Sequence, residues 1–434
     1  MEGLPMKHAR RRQSRLRARV AGTTGLLTLA LGAGVAPATA AEKTTSAPLA
    51  TAASLDTAPS SDTAAALDPA PVPGQLTLPA PTGRHRVGTV DLHLRDTSRV
   101  DPWVPGNQPR ELMVSVWYPA TDTDRYPAAP WLQPAAAAHY LARAQVPPGS
   151  VTLPTTAGHL GAPVDRGAGK LPVLLYSTGL HSPRAMGTAL AQDLASRGYM
   201  VVTIDHTHDA SEVEFPGGRV EVNTMPPGSH SSDTIAVRAA DTHFVINQLA
   251  SLARGHNPDV DHQPLPHGLS KAVNMNRIGM FGASLGGGAV PAAMHADSRI
   301  DAGANLDGQF FGPSTNQPLK RPFLLFSSQN HNRNTDRSWA KFWDHLHGER
   351  LDLKLLGSAH NSFVDNQVLL PQAAGAFRLT PEQLVQILGT IDPNRSIAVQ
   401  RTYLAAFFDK HLRHRQSPLL DGPSRRFPEI HFVR

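Results

Sequence analysis

Short apolar runs without polar alternation recur through the middle of this chain, and they constrain its fold more than any other feature. Residues 172–176, Met200–Ile204, 277–281, 302–306 and 323–326 are mostly apolar on successive positions, and a further strand is expected at 351–355. A strand with one wet face alternates, so runs like these belong to strands covered on both faces. Helix-length segments separate them. Met186, Leu190 and Leu194 share one helical stripe that Gly198 can stop. Residues 233–254 form a long helix with Ser232 as candidate N-cap and Gly255 just past its end. Residues 339–346 make another helix, and a closing helix carries Ile397, Leu404, Phe408 and Leu412 on one side. Two further strand-like runs, 87–94 and 111–118, flank a Pro/Gly/Asn-rich loop and predict an antiparallel start. The fold class expected is α/β, with a mostly parallel central sheet and helices on both faces. Residues 120–170, rich in Ala, Pro and Gly, show no usable period.

The ends of the chain differ in kind. Residues 7–19 are Arg-rich, 20–36 are modestly apolar, and Ala38-Thr39-Ala40 supplies a small-x-small cleavage pattern. This is the layout of a secretory signal peptide removed near Ala40, too short and too weakly apolar for a membrane span. Arg11-Arg12 leaves a twin-arginine route open beside the general one. Of residues 41–80, 27 are Ala, Thr, Ser or Pro, which predicts a disordered linker ahead of a single folded domain at 81–434. The chain has 41 Lys+Arg against 35 Asp+Glu, but seven of those cations and one acid lie in residues 1–40. The remainder is therefore near neutral, which argues against a nucleic-acid partner. The absence of cysteine rules out a disulfide scaffold, a thiol nucleophile and thiolate metal sites.

The local signal for chemistry is Gly282-Ala283-Ser284-Leu285-Gly286, set between the strand 277–281 and a helix. Such a turn holds a serine at strained backbone angles with its hydroxyl exposed, and the glycines avoid collisions with the neighbouring strand and helix. The N-terminus of that helix suits a developing oxyanion. A serine nucleophile needs a base, and the base an orienting acid. Among the downstream histidines, His360 alone directly follows an apolar strand, in the loop 357–363. His345 and His347 read as polar positions on the 339–346 helix. For the acid there are two candidates. Asp307 ends the strand 302–306, and Asp336 follows the strand 323–326 beside a helix start, where a capping role also explains it. The strand-end position favours Asp307 over Asp336.

Together these segments resemble the plasma/isoform II type platelet-activating-factor acetylhydrolase family of α/β-hydrolases, in its secreted bacterial form. The matching stretches are Val116-Trp117-Tyr118-Pro119, Ser177-Thr178-Gly179-Leu180, Gly282 to Gly286, Leu306-Asp307-Gly308 and the His360 loop through Phe363 and Asp365. The resemblance spans roughly 85–412. It implies the α/β-hydrolase fold, Ser284 as nucleophile, Asp307 as acid, His360 as base, and an oxyanion hole from the N–H groups of Leu180 and Leu285. The family usually carries His-Gly where this chain has Thr178-Gly179. Backbone donation survives that change, and the acyl pocket is where it would be felt.

Other patterns carry less. Asp205-His206-Thr207-His208-Asp209 looks like a metal cluster, but consecutive residues at a strand end do not converge, so it is read as orienting the sheet edge or pocket rim. Gly286-Gly287-Gly288 lacks the Gly-Lys-Ser/Thr ending of a phosphate loop. Residues 208–232 and 364–380 are candidate covers over a pocket or plain surface loops. The expectation is a secreted, monomeric serine hydrolase without cofactor or metal, cleaving short- to medium-acyl lipid or phospholipid esters through an acyl-enzyme. A general carboxylesterase, lipase or polyester hydrolase is the nearest alternative, and an amidase uses the same machinery. From another class, a secreted binding protein on a hydrolase fold would be marked by a broken triad.

Overall fold

The computed structural model describes residues 74–229 and 231–433. The expected leader and nearly all of the expected linker lie outside them. The linker's end is an exception: Leu76 is buried and its amide donates to Thr152 O at 2.9 Å. Thr77 N donates to the Gln372 side chain at 2.9 Å. The packed body therefore begins before residue 81, because Leu76 gives the polar stretch an apolar anchor. Among the described residues no helix is long and apolar enough to cross a membrane.

The described strands are β1 (Arg86–Val100), β2 (Pro109–Ala120), β3 (Ala128–Pro130), β4 (Thr155–Leu160), β5 (Leu171–Ser177) and β6 (Met200–Ile204). They continue with β7 (Glu212–Phe215), β8 (Arg219–Val222), β9 (Val273–Ala283), β10 (Ile300–Leu306), β11 (Phe323–Ser327), β12 (Arg350–Leu355) and β13 (Ile430–Phe432). Eleven of them make one sheet in the order β13-β12-β11-β10-β9-β5-β6-β2-β1-β4-β3. The block from β12 to β6 is parallel, with β2 antiparallel on β6 and β1 antiparallel on β2. The expected hairpin start and parallel centre are both present.

Every residue of β5 is buried, as an unalternating strand requires. Val173 and Leu175 face a core shared with Val245, Leu249, Val290 and Met294 from the helices Ser231–Ala253 and Leu285–Ala296. Leu174 and Tyr176 face an opposite core with Leu190 and Leu194 of the helix Thr188–Ser196 and Leu404 and Phe408 of the helix Pro393–Arg413. Each such large side chain contributes roughly 1.5–3 kcal/mol on burial, so the two cores dominate the fold's stability. Two local readings change. Ser232 lies inside its helix rather than capping it. The helix expected over 339–346 runs Arg337–Asp344, leaving His345 at its C-cap and His347 beyond.

Residues 120–170 hold β3, β4 and the helix Pro134–Arg143. With residues 364–388 they build a third cluster around Trp131, Tyr140, Leu369 and Phe377. The 364–380 stretch is thus packed structure beside the His360 loop, containing the helix Asn366–Gln372. Residues 208–232 include the hairpin of β7 and β8, the second, two-stranded sheet.

Chain order places β5 beside β9, with β6 on one side and β10 on the other. Where connections diverge in this way, a crevice opens at the carboxyl ends of the two strands. The turn at Ser284 follows β9, and the loop with Leu180 follows β5.

Candidate active site

The chain turns from β9 into the helix Leu285–Ala296 at Ser284, which holds φ 53 and ψ −127. That conformation is costly for a residue with a Cβ and persists only where packing enforces it. Packing does so here. A Cβ on Gly282 would lie 2.4 Å from Gly286 C, and one on Gly286 would lie 2.1 Å from Ser177 O, so the turn closes only with glycine at both positions. Three glycines and Pro291 make this helix intrinsically poor. It is held by its buried face, including Val290 and Met294.

The three residues expected to act together meet. Ser284 Oγ lies 2.9 Å from His360 Nε2, and His360 Nδ1 lies 2.7 Å from Asp307 Oδ2. A carboxylate can only accept, so Nδ1 carries the proton and Nε2 is free to accept from the serine hydroxyl. His360 begins the turn just past β12, and Asp307 directly follows β10 with φ 57. Asn305 locks that turn: its Nδ2 donates to Gly308 O at 2.7 Å while its Oδ1 accepts from Gly308 N at 2.8 Å.

Asp336 does two other things. It caps the helix Arg337–Asp344 by accepting from Ser338 N at 2.7 Å, and its Oδ2 lies 2.9 Å from His331 Nε2. His331 in turn reaches Asp307 Oδ1 at 3.0 Å, beside the Ser328 amide at 2.6 Å. Burial alone would raise the Asp307 pKa, but the hydrogen bonds from His331 and His360 outweigh it and hold the carboxyl well below the usual range. His331 itself, despite burial, is pushed up to about 9 by Asp307 and Asp336. Nothing local in the sequence sets His331 apart from the other downstream histidines.

The loop after β5 passes close to the serine: a Cβ on Gly179 would stand 3.5 Å from Ser284 Cβ. Leu285 is the first residue of its helix, so its N–H has no intrahelical acceptor and points from the positive end of the helix. Leu180 and Phe311 each pack against a small cluster of Ile235, Leu285 and Ala289. An open groove continues from this cluster, lined by Ile235, Ala236, Ala292, Phe311 and Pro313.

Beneath the loop lies the segment that looked like a metal cluster. Among the described residues no group of His, Asp and Glu is arranged to hold an ion. The segment's two aspartates and two histidines are instead each spent on a buried pair. Asp205 binds Arg184, Asp209 binds Arg238, His206 Nδ1 donates to Asp241, and His208 meets Asp101. Arg110 joins Asp101 at 2.7 Å to Asp241 at 2.8 Å. Burial, reinforced by Arg238, lowers the His206 pKa, so its Nε2 accepts from Ser177 Oγ at 2.8 Å. Arg238, unremarkable on its helix in the sequence, donates to the carbonyl oxygens of both Thr178 and Gly179.

Comparison with known proteins gives the family. The family model of platelet-activating factor acetylhydrolase, isoform II, matches residues 71–215 and 231–420. A probable 1-alkyl-2-acetylglycerophosphocholine esterase of Arthroderma benhamiae is 31% identical over 392 residues, covering 83% of this chain and 95% of that one. The platelet-activating factor acetylhydrolase of Cavia porcellus is 21% identical over 78% of this chain and 79% of its own. The solved structure of a ferulic acid esterase from Streptomyces cinnamoneus superposes with a TM-score of 0.70 at 36% identity, covering 83% of this chain and 99% of that one. With the sheet order and the strand-to-helix turn at Ser284 already in place, these matches establish that the chain belongs to the platelet-activating factor acetylhydrolase, isoform II, family of α/β-hydrolases, a family of carboxylic ester hydrolases.

Proposed function

We propose that this chain is a secreted serine esterase acting on short- to medium-acyl lipid or phospholipid esters. Ser284 Oγ attacks the ester carbonyl as His360 Nε2 takes its proton, and Asp307 steadies the imidazolium that forms. The N–H groups of Leu180 and Leu285 receive the oxyanion. The leaving alcohol takes the proton back from His360. Water then repeats the sequence on the acyl-Ser284 ester, with His360 again as base, and frees the carboxylic acid. The observation that carries the reading is the Ser284–His360–Asp307 chain at 2.9 and 2.7 Å, with the serine strained at φ 53.

The mostly apolar groove lined by Ile235, Ala292 and Phe311, which also belong to the cluster around Leu285, supports an apolar ester component, as does the esterase named for an alkyl-acetyl-glycerophosphocholine in Arthroderma benhamiae. A second reading, an esterase of hydroxycinnamate-type aromatic esters, is favoured by the higher identity to the ferulic acid esterase, 36%. Secretion rests on the leader-like residues 1–40.

The deciding experiment is initial rate on p-nitrophenyl acetate through palmitate, an acetylated ether phospholipid and methyl ferulate, with Ser284→Ala in parallel. Phospholipid and short-chain turnover lost in the variant is the expected result. Turnover confined to ferulate selects the second reading. Ester turnover that survives Ser284→Ala overturns the serine mechanism.

A further inference from the structure

Two acid positions open to α/β-hydrolases, after the strand next to the nucleophile and after the one beyond it, are both occupied here, and a histidine joins them. We propose that His331 and Asp336 are positioning residues for the reaction, extending the triad into a chain Asp336–His331–Asp307–His360–Ser284 in which a cationic His331 clamps the Asp307 carboxylate and Asp336 balances that charge. The inference rests on the serine-esterase reading of the same site.

The geometry requires the charge. His331 Nδ1 lies 3.0 Å from Asp307 Oδ1 and Nε2 lies 2.9 Å from Asp336 Oδ2. Carboxylates only accept, so an imidazole bonded to two of them donates from both nitrogens and is the imidazolium. Its side chain is 20% exposed, and its ring rests 4.5 Å from that of Trp339. The Trp339 indole donates to Gly308 O at 2.6 Å, so the same packing that seats His331 also seats the Asp307 turn. The charged groups around His331 are Asp307 after β10, Asp336 at the helix cap and, at longer range, Asp352 of β12 in its pair with Arg333.

The two residues act on His360 in opposite senses. His331 and the Ser328 amide fill Asp307 Oδ1, which fixes the carboxylate plane and leaves Oδ2 for His360. A cation there also weakens the pull of Asp307 on the imidazolium that forms at His360 during turnover. Asp336, one imidazole further out, restores part of that pull. The cluster of Asp336, His331 and Asp307 carries a net charge of one, negative, as a simple triad acid does.

The test is the pH profile of kcat/KM for the full chain on p-nitrophenyl acetate, with His331→Gln, Asp336→Asn and Ser284→Ala. Asparagine caps helices about as well as aspartate, so Asp336→Asn removes the charge and keeps the cap. Expected for His331→Gln is a fall in kcat of about 10-fold or more, KM within about twofold, and an acid limb moved to higher pH by about 0.5 unit or more. Expected for Asp336→Asn is a smaller fall with the acid limb moved to lower pH. A packing defect would lower the active fraction without moving the two limbs apart. Limbs that stay in place, or move together, while Ser284→Ala still abolishes turnover overturn the relay and leave the serine reading intact. Turnover that survives Ser284→Ala overturns both. If His331→Gln does not fold, the direction of the Asp336→Asn limb decides alone.

Discussion

Arg238 and Asp209 form a pair with almost no solvent access, 2.7 Å apart, and the remaining guanidinium hydrogens reach the carbonyl oxygens of Thr178 and Gly179. The pair therefore acts as a buckle under the loop that presents Leu180. A lysine at 238 can keep the charge but cannot span two carbonyls and a carboxylate at once. Arg238→Lys is expected to fold and to lose about 10-fold or more in kcat with little change in KM, read from initial rates. Arg238→Met leaves Asp209 buried without its cation and should cost about 3–5 kcal/mol of stability, read from chemical denaturation.

Gly308 presses on Ser284 from the other side. A Cβ there would stand 1.9 Å from Ser284 O, a backbone atom that has no room to retreat because it also accepts from Gly288 N at 3.0 Å. Gly308→Ala must shift either the Asp307 turn or the serine turn. The expected outcome is a loss of about 1–3 kcal/mol in stability together with a fall in kcat far larger than in an alanine variant of an exposed glycine such as Gly106.

How much of this was legible in the sequence depended on how local each signal was. β6 is bounded as the sequence reads it, because its apolar run ends abruptly at Asp205. His360 is legible because it follows β12 within one turn. The helix Pro134–Arg143 was not, since it buries only Ala136 and Tyr140 and its partners arrive from the far end of the chain. The contact that ties this region to the site, Trp131 Nε1 to Asp365 at 2.9 Å, joins residues 234 positions apart. Arg238 looks like one more helix cation, and only its contacts 29 and 60 positions away give it a role. His331 lies in a polar loop whose meaning depends on Asp307 and Asp336 converging from two strands.

The two candidate acids separate cleanly by substitution. Asp307→Asn keeps the shape of the turn but allows its amide to face His360 with a donor, favouring the wrong tautomer. The expected loss in kcat is about 10³–10⁴-fold. Asp336→Asn, one histidine further from the serine, is expected to lose well under a hundredth of that. Equal losses in the two would contradict the assignment of Asp307 as the group bonded to the base during turnover.

Stability should fall with rising pH in two separable windows. Asp365 is buried against Trp131 and the Ala189 amide, and burial pushes its carboxyl up to about 7 from 3.8. Between those values the folded chain holds a proton the unfolded chain has released, so stability declines as pH rises through the window. His331 is raised from 6.5 to about 9, because its bonds to Asp307 and Asp336 outweigh the burial that opposes its charge. Its contribution is whole below pH 6.5 and disappears as pH climbs through 9, again a decline with rising pH. Thermal melting from pH 4 to 10 checks both signs. Asp365→Asn should flatten the lower window and leave the upper one, and His331→Gln should do the reverse. An upper window that persists in His331→Gln would show that another group titrates there and that His331 is not the stabilising cation.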